Sequence, residues 1–298
     1  MNKPVRQHYV PQAYLKFFAQ KREKIWETDV ADKKGKKLYR ANIRDIAFEK
    51  NFYTIERLGP QKYTWEKYYA EQVEPLISNT FTELIEKCTN IFAKDKELVI
   101  NSRIKLALSV IIITQLLRTP KARSQQYEIS SDIFPKVMRN IIKELRPHIR
   151  ADQKDYLYNL KLDDIFKETQ MQIITDSQRV LKFAQILCDH YWIVYRNDNF
   201  KGFPFVTSDH PVVEYNMLST STLLQKNGIG NPQTIIHYPI NPQLMLAIYD
   251  KRNFLFQFLD GMDGRLAFLT QKDSDYILKV NQLQYKQCIQ HAFFRPFT

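Results

Sequence analysis

The residues of this chain that could do chemistry are few and widely spaced. His8 and Gln12 stand on either side of Pro11 in Arg6-Gln-His-Tyr-Val-Pro-Gln-Ala-Tyr-Leu-Lys16, Gln115 and Arg118 close a long apolar run, and Asp209 lies in Thr207-Ser-Asp-His-Pro-Val212. Histidine titrates near neutrality, so His8 is a candidate general acid or base. Arginine offers a planar fork to phosphate oxygens, and Gln115 and Arg118, three residues apart, share a helix face. With Asp209 completing the set, these residue types suit phosphodiester cleavage. The expected catalytic residues are therefore His8, Gln12, Arg118 and Asp209, with Arg6, Tyr9, Gln115, Ser208 and His210 as substrate contacts.

Each of these residues also has a plainer role open to it. His8 could bond a backbone carbonyl and lock the N-terminal turn. Arg118 could cap the last carbonyls of its own helix, and Asp209 could form an Asx-turn ahead of Pro211 with help from Ser208. Glu66 with Glu74, or Asp209 with His210, could ligate a magnesium-like ion, but neither pair makes a recognised set, and helix carboxylates among lysines are more often solvated. No cofactor and no bound metal is expected, with a divalent ion such as magnesium the one candidate. Cys88, Cys188 and Cys288 form no CxxC pair, which argues against a zinc knuckle or a disulfide framework and suits a reducing cytosol. Only Cys188, beside Asp189 and His190, has polar neighbours of interest for nucleophilic chemistry.

The chain has 298 residues, 44% hydrophobic, enough to bury a sizeable core as one large domain. Lys and Arg number 44 against 32 Asp and Glu, a net charge of +12 that favours anionic partners, nucleic acid first, whether RNA or DNA. Tyr9, Tyr14, Trp26, Tyr39 and Tyr53 interleave with Arg6, Lys16, Arg40 and Arg44, the mixture a single-strand surface uses for stacking and charge neutralisation, although core packing accounts for many such aromatics. The N-terminus has no apolar run after its positive charges and does not read as a secretory signal, so a cytoplasmic location is expected. The most apolar segment, Ile104 to Leu117, contains Lys105 and is too short to span a membrane.

The elements that must position these residues read as an α+β chain. A hairpin of Ile25–Val30 and Lys37–Ile43 turns through Ala31–Lys36, with Gly35 supplying a positive φ, and Asn51–Glu56 adds an extended segment. Pro11 suits the first turn of a helix. Trp65, Tyr69, Val73, Ile77, Phe81 and Leu84 recur at helix spacing, with a kink at Pro75. Further helices are expected over Leu98–Leu117, ended by Arg118-Thr-Pro120, over much of Gln125–Leu145, and from about Asp163 to Cys188, making a central helical bundle. Beyond Asp189, runs at 191–195, 203–206, 212–215, 234–238 and 244–249 read as mainly antiparallel strands, closed by a helix from near Ser274 to Gln290. The expected subregions are 1–60 as a small α+β cap, 61–190 as the bundle and 191–298 as the β-rich part of a single compact domain.

The order and spacing of His8-Tyr-Val-Pro-Gln12, Asn51-Phe-Tyr-Thr54, the helix carrying Glu66, Gln115-Leu-Leu-Arg-Thr-Pro120, Thr207-Ser-Asp-His-Pro-Val212, Pro239-Ile-Asn-Pro242 and the Asn281 helix span nearly the whole chain. In these motifs the chain resembles a bacterial family known only as domain of unknown function 4238. Relatives often carry Asn where this chain has His210, so a catalytic role for that histidine does not follow from the resemblance, and Asp209 is the stronger candidate. The expected function is a nucleic-acid-directed hydrolase, a nuclease or related phosphoryl-transfer effector, and a phage-defence or toxin role would suit it. The alternative is a non-catalytic module that binds nucleic acid, a nucleotide or a protein partner, with self-association into a homo-oligomer open to either.

Overall fold

Runs of β-branched and aromatic residues between 190 and 250 build the sheet on which the rest of the protein is laid. In the computed structural model, which describes residues 6–55, 60–91, 97–130, 134–145, 150, 165, 167–169, 172, 176–216 and 228–296, β10 (Leu244–Asp250) lies between β6 (His190–Asn197) and β9 (Thr234–Pro239), antiparallel to both. All seven residues of β10 are buried, so its sequence is nearly continuously apolar, as expected of a strand covered on both faces. β8 (Val213–Asn216) extends one side of this sheet antiparallel to β9, and β11 (Arg265–Leu269) closes the other, parallel to β6.

The N-terminal hairpin does form, from β3 (Ile25–Asp32) and β4 (Lys37–Asn42). It belongs to a second sheet that draws on distant parts of the chain. β2 (Gln20–Arg22) pairs with the start of β3, and β12 (His291–Phe294) pairs with its end and with β7 (Thr207–Ser208). The turn differs from expectation in one atom of detail. Asp32 accepts from the Lys34 and Gly35 amides, and the positive φ falls on Lys36, at 49°, not on Gly35. Gly35 is needed for space, because a Cβ there would lie 2.5 Å from the Asp32 carboxylate.

Two further expectations are displaced. The extended segment of the N-terminal region is β5 (Phe48–Lys50), paired with β1 (Arg6–His8), whereas Asn51 turns with φ 56°. The segment 203–206 makes no strand, and only Thr207 and Ser208 pair. His8 thus sits in a strand, and Pro11 is the residue before α1 (Gln12–Leu15) instead of its first turn.

The helical expectations hold in type and shift in extent. α2 (Thr64–Tyr68) runs through a π turn, Tyr69–Val73, into α3 (Glu74–Thr89). Pro75 lacks the amide for a regular ladder, and the π turn just ahead of it absorbs the mismatch. The apolar run makes α4 (Ser102–Arg118), started by Asn101, whose side chain accepts from the Ile104 amide. The stretch expected as one helix over 125–145 is two, α5 (Pro120–Ser130) and α6 (Phe134–Leu145). α7 (Ser177–Cys188) begins at Asp176, which caps the Arg179 amide, and packs on α4; most of 163–175 lies outside the described residues. α8 (Ser274–Gln287) precedes β12.

A large apolar cluster joins these parts, with Tyr14, Phe18, Trp65, Phe81, Ile112, Trp192, Tyr238 and Phe293 in it, and two smaller clusters lie around Tyr191 and Phe205. Tyr14 shows how the pieces are tied. Its hydroxyl bonds Thr207 Oγ1 at 2.6 Å and the Pro239 carbonyl at 2.8 Å, while its ring stacks on Tyr238 at 5.3 Å. Among the described residues no helix is long and apolar enough to cross a membrane.

Gly264 fastens the approach to α4 onto the main sheet. Its carbonyl accepts from the amides of Val99 and Ile100, its own amide donates to Trp192, and its φ is +76°. A Cβ there would meet the Ile100 carbonyl oxygen at 2.6 Å. Gly264→Ala is expected to cost about 3 kcal/mol from the left-handed backbone and the clash together. Urea unfolding reads it; an unchanged midpoint would mean that the Val99–Ile100 loop moves aside freely.

Candidate functional site

Three segments meet around the first strand. Gln7 accepts from the Tyr53 amide and donates to Thr54 Oγ1 at 3.0 Å, which fastens β1 to the turn after β5. Gln115 Nε2 donates to the Tyr9 carbonyl at 3.1 Å, and Arg118 Nη2 donates to the His8 carbonyl. Arg118 Nε donates to the Tyr53 hydroxyl at 3.2 Å, and the guanidinium lies 3.9 Å from the Tyr69 ring centroid. The chain therefore brings Gln115 and Arg118 onto the backbone of His8 and Tyr9, with Arg118 only 2% exposed. Arg118 does not cap its own helix; it reads a carbonyl 110 positions away.

His8 is buried against Phe48, at 5.6 Å between rings, and Gln12 Nε2 lies 3.5 Å from its Nδ1. Burial pulls the His8 imidazole down to about 4, with Arg118 and Arg6 adding to the effect and the Arg44 and Ile43 backbone opposing it. At neutral pH His8 is an uncharged ring. Tyr9 is buried, and Arg6 is an exposed cation paired with Asp45 and laid over Phe48.

Asp209 stands within electrostatic reach of Tyr9 and Lys121, but its hydrogen bonds go elsewhere. Its carboxylate, fully buried, accepts from the amides of Ile289, Gln290 and His291 at 2.7–2.8 Å. It holds the entry to β12, which is neither an Asx-turn before Pro211 nor a direct partner of His8 or Arg118. Ser208 donates to Gln284 Oε1 at 2.7 Å, and Gln284 in turn donates to the Pro211 carbonyl, so this strand end is bolted to α8. His210 Nδ1 lies 3.3 Å from Thr119 Oγ1 at the end of α4, and burial takes its imidazole down to about 3.

The structure adds residues that spacing alone ranked low. Trp65 and Tyr69, each 2% exposed, stand beside Arg118 on the π turn and the helix before it, and Glu66 is half-buried next to them. Burial lifts the Glu66 carboxyl to about 6, with Arg118 opposing and Glu74 adding. A π turn is a frequent mark of functional sites, and the tight Trp–Glu–x–x–Tyr spacing was the available signal. Burial also pushes the Cys88 thiol to about 12 and Cys288 to about 11, leaving both unreactive. Among the described residues no group of three or more His, Cys, Asp or Glu side chains could hold a metal.

A groove opens on the other side of α1. Two adjoining cavities, of about 390 and 520 Å³, share Lys16 and Trp26. Lys21, Lys24, Arg44 and Gln12 line the first, and Phe17, Phe200 and Arg295 the second, so five cations face two carboxylates, Glu23 and Glu86. Gln12, in the lining of the first cavity, reaches His8, whose carbonyl Arg118 holds.

A family model described as Protein of unknown function (DUF4238) matches residues 6–298. No curated protein and no solved structure matches the chain.

Proposed function

Because the chain belongs to this family of unknown function, membership brings no reaction with it, and we propose from the groove that the protein binds single-stranded nucleic acid. The observation that carries this reading is the groove's composition: Trp26 between Lys16, Lys21, Lys24, Arg44 and Arg295. Cations in such a groove neutralise backbone phosphates and release counterions, and an indole accepts a base on its face whatever the sequence. The pair of cavities has room for more than one nucleotide unit, and the overall charge of +12 favours encounter with a polyanion.

Hydrolysis of the bound strand is the second reading, favoured by the position of Gln12, which lines the groove and reaches His8. A neutral His8 could serve only as a base there, and Asp209 would act through the fold.

The test is binding of labelled 20-residue single-stranded RNA and DNA and a matching duplex at two salt concentrations, with the same mixtures run on a gel for cleavage. Wild type is expected to bind single strands with strong salt dependence. Lys21→Glu/Lys24→Glu is expected to weaken binding about 10-fold or more and to flatten the salt dependence, and Trp26→Ala to weaken it by roughly 5- to 100-fold. No binding at low salt, or binding indifferent to both variants, would overturn the proposal. Cleavage abolished in a folded His8→Gln protein would bring in the hydrolase reading.

A further inference from the structure

Around Arg118 the protein leaves several buried polar atoms without partners. Among the described residues, Trp65 Nε1, Tyr69 OH, Arg118 Nη1 and Gln115 Oε1 have no hydrogen-bond partner. All four belong to residues 2% exposed. Buried polar groups are nearly always satisfied, so a group of orphans in one neighbourhood points to something that belongs there. Their shared neighbourhood is plain: the Trp65 and Tyr69 rings are 5.9 Å apart, Arg118 lies over Tyr69, and Gln115 is one helical turn before Arg118.

The chemistry of the missing partner follows from the inventory. Three of the four orphans are donors, an indole N–H, a phenol O–H and a guanidinium N–H, and one of them is charged. The ligand that satisfies them is rich in acceptors and negative. We propose that this cluster is a binding site for a phosphate-type oxyanion, held by Arg118, Tyr69 and Trp65. Arg118 is already fixed by its bonds to the His8 carbonyl and the Tyr53 hydroxyl, so its third nitrogen is presented without further ordering. Tyr69 is the first residue of the π turn, and its ring carries that guanidinium on its face. Glu66, half-buried next to Trp65 in the chain and within electrostatic reach of Arg118, has its carboxyl lifted in the direction that reduces repulsion toward an anion.

This site is separate from the Trp26 groove and does not rest on the binding proposed there. The probe is inorganic phosphate, titrated calorimetrically and by thermal melting against sodium chloride at matched ionic strength, with acetate as a second arm. Wild type is expected to bind phosphate and to melt at higher temperature in it. Tyr69→Phe removes one donor and keeps the ring, and Trp65→Phe removes one donor with a smaller aromatic side chain left in place; each is expected to weaken phosphate binding about 10-fold or more, with the Tyr69 variant the cleaner reading. Glu66→Gln removes a nearby negative charge and is expected to tighten binding. A melting shift of equal size in Tyr69→Phe would assign it to the general stabilisation of folded states by an anion excluded from the protein surface, and would overturn the site. So would the absence of calorimetric binding, or acetate binding as tightly as phosphate.

Discussion

Acidification from neutrality is expected to unfold this protein between about pH 5 and pH 4. Burial takes the imidazoles of His8 and His237 down to about 4 and that of His210 to about 3, and it lowers His190 and His291 in the same direction. A base whose folded value is depressed costs nothing above its unfolded value near 6.5, because both states are then neutral. Below that point the unfolded chain takes up the proton and the folded chain refuses it. Each unit of pH then costs about 1.4 kcal/mol per histidine, so His8, His210 and His237 together withdraw roughly 6 kcal/mol by pH 5. That is comparable to the whole stability of an ordinary domain. Glu66 and Asp209, lifted by burial, act in the opposite sense and restore part of the loss. Circular dichroism against pH reads the transition. His210→Gln should move it to lower pH, and a signal unchanged down to pH 4 would defeat the argument.

Asp209→Ala is expected to destabilise the protein by about 3 kcal/mol, and Asp209→Asn by less, since an amide oxygen keeps one acceptor. Three amides, of Ile289, Gln290 and His291, lose a buried acceptor at once. The loss is local in origin. Hydrogen exchange should show the amides of 289–294 released first, while β10 stays protected. A variant that loses nucleic-acid or phosphate binding with full stability and protection would instead make Asp209 a direct participant.

The fold was legible wherever apolar periodicity was strong. Tyr191–Tyr195, Thr234–Tyr238 and Leu244–Tyr249 read as strands because β-branched and aromatic residues crowd them, and Ile104–Leu117 read as a helix by length and content. Arg265–Leu269 and His291–Phe294 escaped, being short pieces whose strand character depends on neighbours far away in the chain. The extended piece near Asn51 reads a few residues late in the sequence because the left-handed turn there has no glycine to mark it. For the site, residue types were legible and partners were not. Gln115 and Arg118 were read as sharing a face, as they do, but no spacing rule shows that the face meets the carbonyls of residues 8 and 9. From the sequence, Glu66 stands out only as a companion to Glu74, since its burial near Arg118 is a property of the assembled fold.

The pairing of β12 with β3 has a consequence for synthesis. On a ribosome moving from N- to C-terminus, residues 29–32 emerge long before the strand that covers their edge, residues 291–294, which is made only after all of the intervening chain. Thr28 waits likewise for the Phe294 carbonyl, 266 positions on. Until then the nascent chain carries an open β edge beside its hairpin, a template for pairing with another copy. Nascent chains stalled before residue 291 are thus the species in which misassembly between neighbours on one messenger would begin, and the arrival of β12 is the event that ends the exposure.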